Sequence, residues 1–251
     1  MTTPVVSLHV WRVPAPAVPL ALGRLAVDRF RLRRKAGREH GVRFGKLLGT
    51  GTGQGFGPTD ADLTRYAALT VFDDEEAARR FDAGPVVAGW DRLARAGVRL
   101  RLRPIASRGR WSGRDPFPTP PEAKTTPAAT EPVVAITRAR LRPGRAVTFW
   151  RAVPPVATAL RAAPGLLARF GVGEAPIGWQ GTVSVWRTNA ELVDFAYRQP
   201  EHRAAIARTA TARWYAEELF ARFAVCEITG DRSVLGWRQH RTGEEGTGGR
   251  T

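Results

Sequence analysis

The chain has 251 residues, 43% of them hydrophobic and 25% charged, an ordinary globular balance with material for one large domain or two small ones. No apolar run approaches the ~20 residues that a membrane-spanning helix needs, and MTTPVVSLHVWRVP at the start lacks the pattern of a secretory signal. Net charge is +16, from 39 Lys and Arg against 23 Asp and Glu, which points to nucleic acid, an anionic membrane or an acidic partner, or else to the bias of a chain rich in Ala, Arg, Gly and Pro.

In chain order, VVSLHVWRV (5–13) alternates as a strand and is closed by Pro14, Pro16 and Pro19. A helix follows over about 20–35. Within it and just beyond it, RFRLRRKAGR (29–38) joins Leu20, Leu22, Leu25 and Phe30 in a basic amphipathic segment, 20–38. That segment suits either an anionic membrane surface or a solvated helix face. VRFGKLLG (42–49) and YAALTVF (66–72) read as strands around a glycine-rich loop. DDEEAARRFDAGPVVAGWDRLARAG is a helix broken near Gly84–Pro85, and VRLRLRPIAS (98–107) is a strand.

The same order recurs. VVAITRARL (133–141) is a strand, 145–162 a proline-interrupted helix, LLARFGVG (166–173) a strand into a glycine turn, and TVSVW (182–186) a strand. Thr188 and Glu191 have capping-box spacing at the start of a helix that Pro200 ends while opening another. FAVCEIT (223–229) closes the unit as a strand. LTVFDDEEAARRF (69–81) aligns without a gap on VSVWRTNAELVDF (183–195), and Leu48-Gly49-Thr50-Gly51 on Phe170-Gly171-Val172-Gly173. Each unit has the β-α-β-β-α-β order of a ferredoxin-like fold. The expectation is therefore an α+β protein of two tandem ferredoxin-like repeats. They would form an intramolecular pseudo-dimer, a sandwich or barrel of two four-stranded antiparallel sheets with helices outside. The repeats would span 1–114 and 133–236, separated by a Pro/Thr-rich linker, 115–132, and followed by a tail, 237–251, without hydrophobic residues after Trp237 and expected to be disordered.

Among candidate sites, GTGTGQGFG (49–57) fails as a nucleotide loop. No Gly-Lys-Ser/Thr follows, Phe56 stands where a third glycine is needed, and the next element is a strand. It reads instead as a hairpin-like connection. Cys226, the lone cysteine, excludes an internal disulfide, suits a reducing cytoplasm, and packs in FAVCEI as a small hydrophobe. The four histidines have no zinc-ligand spacing. His40 lies in a polar turn and His240 in the tail. His9 lies on the first strand, either paired there or facing the interior. His202 shares a helix face with Ala205, Ile206 and Thr209, so it points towards an interior. Two readings stay open for it: a structural histidine bonded to a backbone carbonyl, or a ligand holding something in a pocket. A single protein histidine is what haem requires. The gapless alignment sets Ala88 opposite His202, so a site there belongs to one repeat only.

RFGKLLGTGTGQGF (43–56), SRGRWSGRDPF (107–117), ITRARLRP (136–143), FWRAVPPV (149–156), GVGEAP (171–176) and WYAEELFARFAV (214–225) closely resemble the spheroidene monooxygenase (acyclic carotenoid 2-ketolase) family, in order and over nearly the whole chain. The resemblance implies an enzyme carrying haem b, using O2 and taking electrons from a ferredoxin-type donor to oxidise a long carotenoid or similar lipophilic polyene. The lone cysteine suits a cytoplasmic protein, the basic segment 20–38 would bring it into peripheral contact with the membrane where such a substrate dissolves, and no specific nucleic acid is expected. His202 falls where the family carries a histidine and would be the axial ligand of the haem iron, as in haem proteins of the dimeric α/β-barrel kind. Lys46, Arg108, Trp111 and Ser112 lie in the matching motifs and would line the cofactor pocket; the fork of Arg108 or Arg138 suits a haem propionate, and whether either meets one stays open. The alternatives in other classes are a haem-transfer protein without turnover and a cofactor-free basic module.

Overall fold

The computed structural model describes residues 4–35, 41–54, 58–118, 130–174 and 179–237. The first half runs β1 (Val5–Arg12), α1 (Val18–Lys35), β2 (Val42–Gly51), β3 (Ala61–Phe72), α2 (Glu75–Asp82), α3 (Pro85–Leu93) and β4 (Ala96–Gly109). The second runs β5 (Val133–Leu141), α4 (Ala146–Ala162), β6 (Leu166–Gly173), β7 (Trp179–Trp186), α5 (Asn189–Arg198), α6 (Pro200–Ala212) and β8 (Tyr215–Gly230). The expected tail from 238 onward and the linker residues 119–129 lie outside the described residues, as do His40 and His240.

The strands close into one antiparallel barrel in the order β1-β3-β2-β6-β7-β5-β8-β4. The two sets of four strands are thus not separate sheets, because they are joined edge to edge at β2–β6 and β4–β8. The β4–β8 joint is long, from Val98 opposite Gly230 to Gly109 opposite Leu219. The β2–β6 joint is short: Gly49, Thr50 and Gly51 pair with Gly173, Val172 and Gly171. These are the two matching glycine motifs of the repeat, and here they pair with each other. Gly49 and Gly51 therefore belong to a strand rather than to a hairpin loop. A Cβ on Gly51 would come within 2.8 Å of the Asp60 carbonyl oxygen, an approach that only glycine leaves open.

Period-two alternation fills the barrel. Val6, Leu8 and Val10 of β1, Leu69 and Val71 of β3, Phe44 and Leu48 of β2, Phe170 and Val172 of β6, Val134 and Ile136 of β5, and Leu219, Ala221 and Phe223 of β8 form one buried cluster. The intervening residues face the helices. His9 is among them, so the interior-facing option for it is excluded. Its ring stacks on Trp11 and its Nε2 lies 3.1 Å from Asp82 Oδ1. The paired-strand reading of His9 describes it.

The helix ends follow local chemistry. Asp74 accepts from Ala77 N at the start of α2, and Thr188 Oγ1 accepts from Glu191 N at the start of α5, at corresponding places in the two halves. Pro85 and Pro200 open α3 and α6. The second half has one residue more between the starts of its last two helices, so Val87 rather than Ala88 corresponds to His202. β8 begins eight residues before the expected 223. Arg213 takes a left-handed conformation that ends α6, and β8 then pairs first with β5, with both β5 and β4 over 219–224, and finally with β4.

Candidate active site

Five of the six motifs singled out in the sequence meet at one end of the barrel. Lys46, Arg138, Glu174 and Glu217 each sit one alternation step beyond an interior residue: Lys46 between Phe44 and Leu48, Arg138 after Ile136, Glu174 after Val172, Glu217 before Leu219. Lys46 Nζ donates to Glu174 Oε2 and to Ser112 Oγ, both at 2.7 Å. Trp111 Nε1 donates to Glu174 Oε1 at 2.8 Å. Arg138 pairs with both carboxylates and lies 5.5 Å from the Trp111 ring centroid. The turn Trp111–Arg114 crosses this end. Ser112 and Gly113 both have positive φ, as a tight turn of the primed type needs, and their N–H groups donate to the Glu217 carboxylate at 3.1 and 2.7 Å.

Burial pushes the Glu174 carboxyl up, but the hydrogen bond and charge of Lys46 and the charge of Arg138 outweigh it and hold the group below the usual carboxylate range. Glu217 is lowered too: burial again opposes, and the Gly113 and Ser112 N–H groups with Arg138 prevail. A carboxylate lowered in the folded state stabilises above its unfolded pKa, near 4.5, and loses that contribution as pH falls through the folded value. The denaturation midpoint is therefore expected to fall as pH drops below about 4.5. Glu174→Gln should flatten that fall; an unchanged acid profile in the variant would show that the cluster is not what titrates.

The second feature is a difference between the halves on the outer sheet face. Val5 pairs with Phe72 and Val133 with Trp186, and this register sets Ser7, His9, Trp11, Tyr66 and Ala68 against Ala135, Thr137, Ala139, Gln180 and Thr182. In the first half all five are buried beneath α1, α2 and α3. The layer is filled by rings: His9 on Trp11 at 5.4 Å, Trp11 on Trp90 at 5.5 Å, Tyr66 against Trp90 at 5.0 Å. In the second half Thr137, Ala139 and Gln180 stand in place of the rings of His9, Trp11 and Tyr66, while Ala135 and Thr182 stand in place of the equally small Ser7 and Ala68. Ala139 is buried, and Trp150 Nε1 donates to Gln180 Oε1 above it, but Ala135, Thr137, Gln180 and Thr182 are only half-buried. Among the described residues, Gln180 Nε2 and Trp214 Nε1 are buried without a hydrogen-bond partner.

One row of this face runs Thr182–Thr137–Phe220–Arg108 across β7, β5, β8 and β4. Arg108 ends the row exposed, its guanidinium 5.1 Å from the Phe220 centroid. The structure thus brings Lys46, Trp111 and Ser112 together inside the barrel mouth and sets Arg108 apart on the outer face. Arg138, also considered for a propionate, is occupied by Glu174 and Glu217. His202 lies in the first turns of α6, and its side chain is outside the described residues. An open cleft between the end of α6 and the start of β8 is lined by Arg142, Thr209, Arg213, Tyr215, Glu217 and Glu218, so it reaches the mouth cluster through Glu217. Burial pushes the Tyr215 hydroxyl up to about 12, which keeps it protonated.

Glu174 and Glu217 were inside the quoted motifs but not singled out. The signal that finds them is an acidic residue at the interior parity of a strand otherwise apolar on that face.

No protein-family model matches the chain. The chain is 35% identical over 229 residues to the spheroidene monooxygenase of Rhodobacter capsulatus, covering 90% of this chain and 92% of that protein. It is 36% identical over 196 residues to that of Rubrivivax gelatinosus, covering 76% and 72%. Among solved structures, aldoxime dehydratase in complex with butyraldoxime superposes with a TM-score of 0.57 at 12% identity, over 89% of this chain and 80% of that one, a likeness of fold alone. With those identities sustained over most of both proteins, the chain belongs to the spheroidene monooxygenase family.

Proposed function

We propose that this protein is a haem b-dependent monooxygenase that hydroxylates or ketolates a carotenoid or similar lipophilic polyene, using O2 and a ferredoxin-type electron donor. Membership of the family supports the monooxygenase class, and the relatives' name supports a carotenoid substrate. The single observation that supports the haem is the unequal sheet–helix layer: the rings of His9, Trp11 and Tyr66 fill it in the first half, and Thr137, Ala139 and Gln180 stand at those positions in the second. In this reading the two halves are tandem ferredoxin-like repeats, about 1–114 and 133–236, and the second would hold the cofactor.

His202 would be the axial ligand. Its position corresponds to Val87, which in the first half packs in the layer between helix and sheet. Haem so held supplies O2 activation. Thr137, Thr182 and Ala135 would form a small-residue floor, Phe220 an apolar flank, and Arg108 a guanidinium at the edge suited to a propionate carboxylate. Lys46, Trp111 and Ser112, with Glu174 and Glu217, would hold the barrel mouth rigid behind that floor. Hydroxylating one C–H consumes one O2, two electrons and two protons and releases water, so an external electron donor belongs to the reading. A lipophilic substrate dissolves in bilayers, so peripheral membrane contact belongs to it too; no helix among the described residues is long and apolar enough to cross one.

The test is an absorption spectrum of protein expressed with haem precursor, oxidised, then reduced with and without carbon monoxide. A haem band near equimolar with protein, and oxygenated product when polyene, O2 and reductant are added, is the expected result. Haem without product would leave a haem-carrier, and a protein that stays colourless on haem titration would overturn the proposal.

A further inference from the structure

We infer that the solvent-facing crest of α1 is a docking face for an anionic lipid bilayer. The inference deepens the membrane part of the functional reading and stands independently of the haem. α1 has two unlike sides. Ala21, Leu25, Asp28 and Leu32, at i, i+4, i+7 and i+11, are buried, and the helix packs along β2. On the opposite side Leu20, Val27 and Phe30 share one line with Gly23 and are 67, 50 and 61% exposed, and Leu22 is exposed nearby. A helix covering a globular core shows polar groups to water on that side; this one shows large apolar side chains.

Its charges are as one-sided. Between Val18 and Lys35 the cations are Arg24, Arg29, Arg31, Arg33, Arg34 and Lys35, and the only acid in that segment is Asp28. Asp28 is fully buried and is held by Arg24 and Arg31, each at 3.1 Å. Among the described side chains of α1, water therefore meets apolar groups and the exposed Arg31 and Arg33, and no carboxylate. Arg29 donates to Leu47 O at 2.8 Å and Gly173 O at 3.3 Å, which pins the middle of the helix to the β2–β6 joint and presents the crest on a fixed support. An apolar line flanked by arginines complements a bilayer with acidic headgroups, where side chains enter the acyl boundary and each cation gains from the surface potential. A second copy of the same face would bring cation against cation and is disfavoured by the same charges.

The test is cosedimentation of the full chain with phosphatidylcholine vesicles made with and without phosphatidylglycerol. Binding is expected only with the anionic lipid. Val27→Glu with Phe30→Glu should lower the partition coefficient at least about tenfold. Leu63→Glu with Tyr197→Glu, an equal charge change at exposed apolar positions on β3 and α5, should leave binding within about twofold. Circular dichroism checks that both variants are folded. No binding to anionic vesicles, or equal losses in the two variants, would overturn the inference. The haem spectrum of the α1 variant reads the cofactor separately, so a failure here is distinguishable from failure of the functional reading.

Discussion

Replacing Thr137 with tryptophan is expected to give a folded protein that takes up haem poorly or not at all. Thr137 occupies in the second half the position of His9, where the first half has rings stacked between strand and helix. It is half-buried at the centre of the row from Thr182 to Arg108, so an indole there enters the layer rather than displacing the barrel core on the other face of β5. Overfilling a formed site costs about 1–3 kcal/mol, about five- to 150-fold in affinity. A cofactor lying flat on this face is expected to lose at least the upper end. His202→Ala is the companion: it removes the proposed axial ligand without adding bulk, and haem incorporation should be abolished with the melting temperature close to that of the parent. Haem titration followed at the main absorption band, with thermal denaturation as the folding control, separates the outcomes. Parental haem affinity in Thr137→Trp would move the site off this face; parental affinity in His202→Ala would require a different ligand.

The sequence displays much of this arrangement and conceals a specific part. Element order and the cap at Thr188 are local properties, written in alternation, helical spacing and short polar side chains, and they are recovered with small shifts at the ends. The glycine motifs around Thr50 and Val172 are recognisable as a repeat, but that they pair with each other is a long-range fact that no local pattern encodes. β8 was read too short because Tyr215–Glu218 carries two carboxylates and no apolar alternation. Pairing with β5 makes that segment a strand, and context overrides propensity there. The site was legible as residue types and not as places. Lys46, Arg108 and Trp111 come from neighbouring motifs, yet strand parity sends Lys46 into the barrel, and Arg108 belongs to an outer-face row fixed by three registers. The small residues opposite the aromatic layer gain meaning only by comparison between the halves, once pairing sets Thr137 against His9.

Arg138→Met is expected to have the largest effect on stability. The Arg138 side chain is 4% exposed at an interior position of the barrel and neutralises Glu174 and Glu217, themselves 11 and 13% exposed. Methionine fills similar volume but leaves two inward carboxylates sharing Lys46 and the turn N–H groups. Breaking a buried pair by removing one partner costs about 3–5 kcal/mol, because the charge left behind keeps its desolvation penalty without its partner. The cost is a difference between protonation and burial terms, so it should depend on what remains: adding Glu174→Gln and Glu217→Gln to Arg138→Met should restore part of it. Chemical denaturation of the single and triple variants near neutral pH measures this. A loss below about 1 kcal/mol in Arg138→Met would mean that the cluster behaves as a solvated surface network. If the loss is large and the triple variant recovers it, the charges at the mouth contribute little net stability. Their presence would then have to be explained by what they hold in place: the turn at Ser112 and Gly113, and the ends of the strands that meet there.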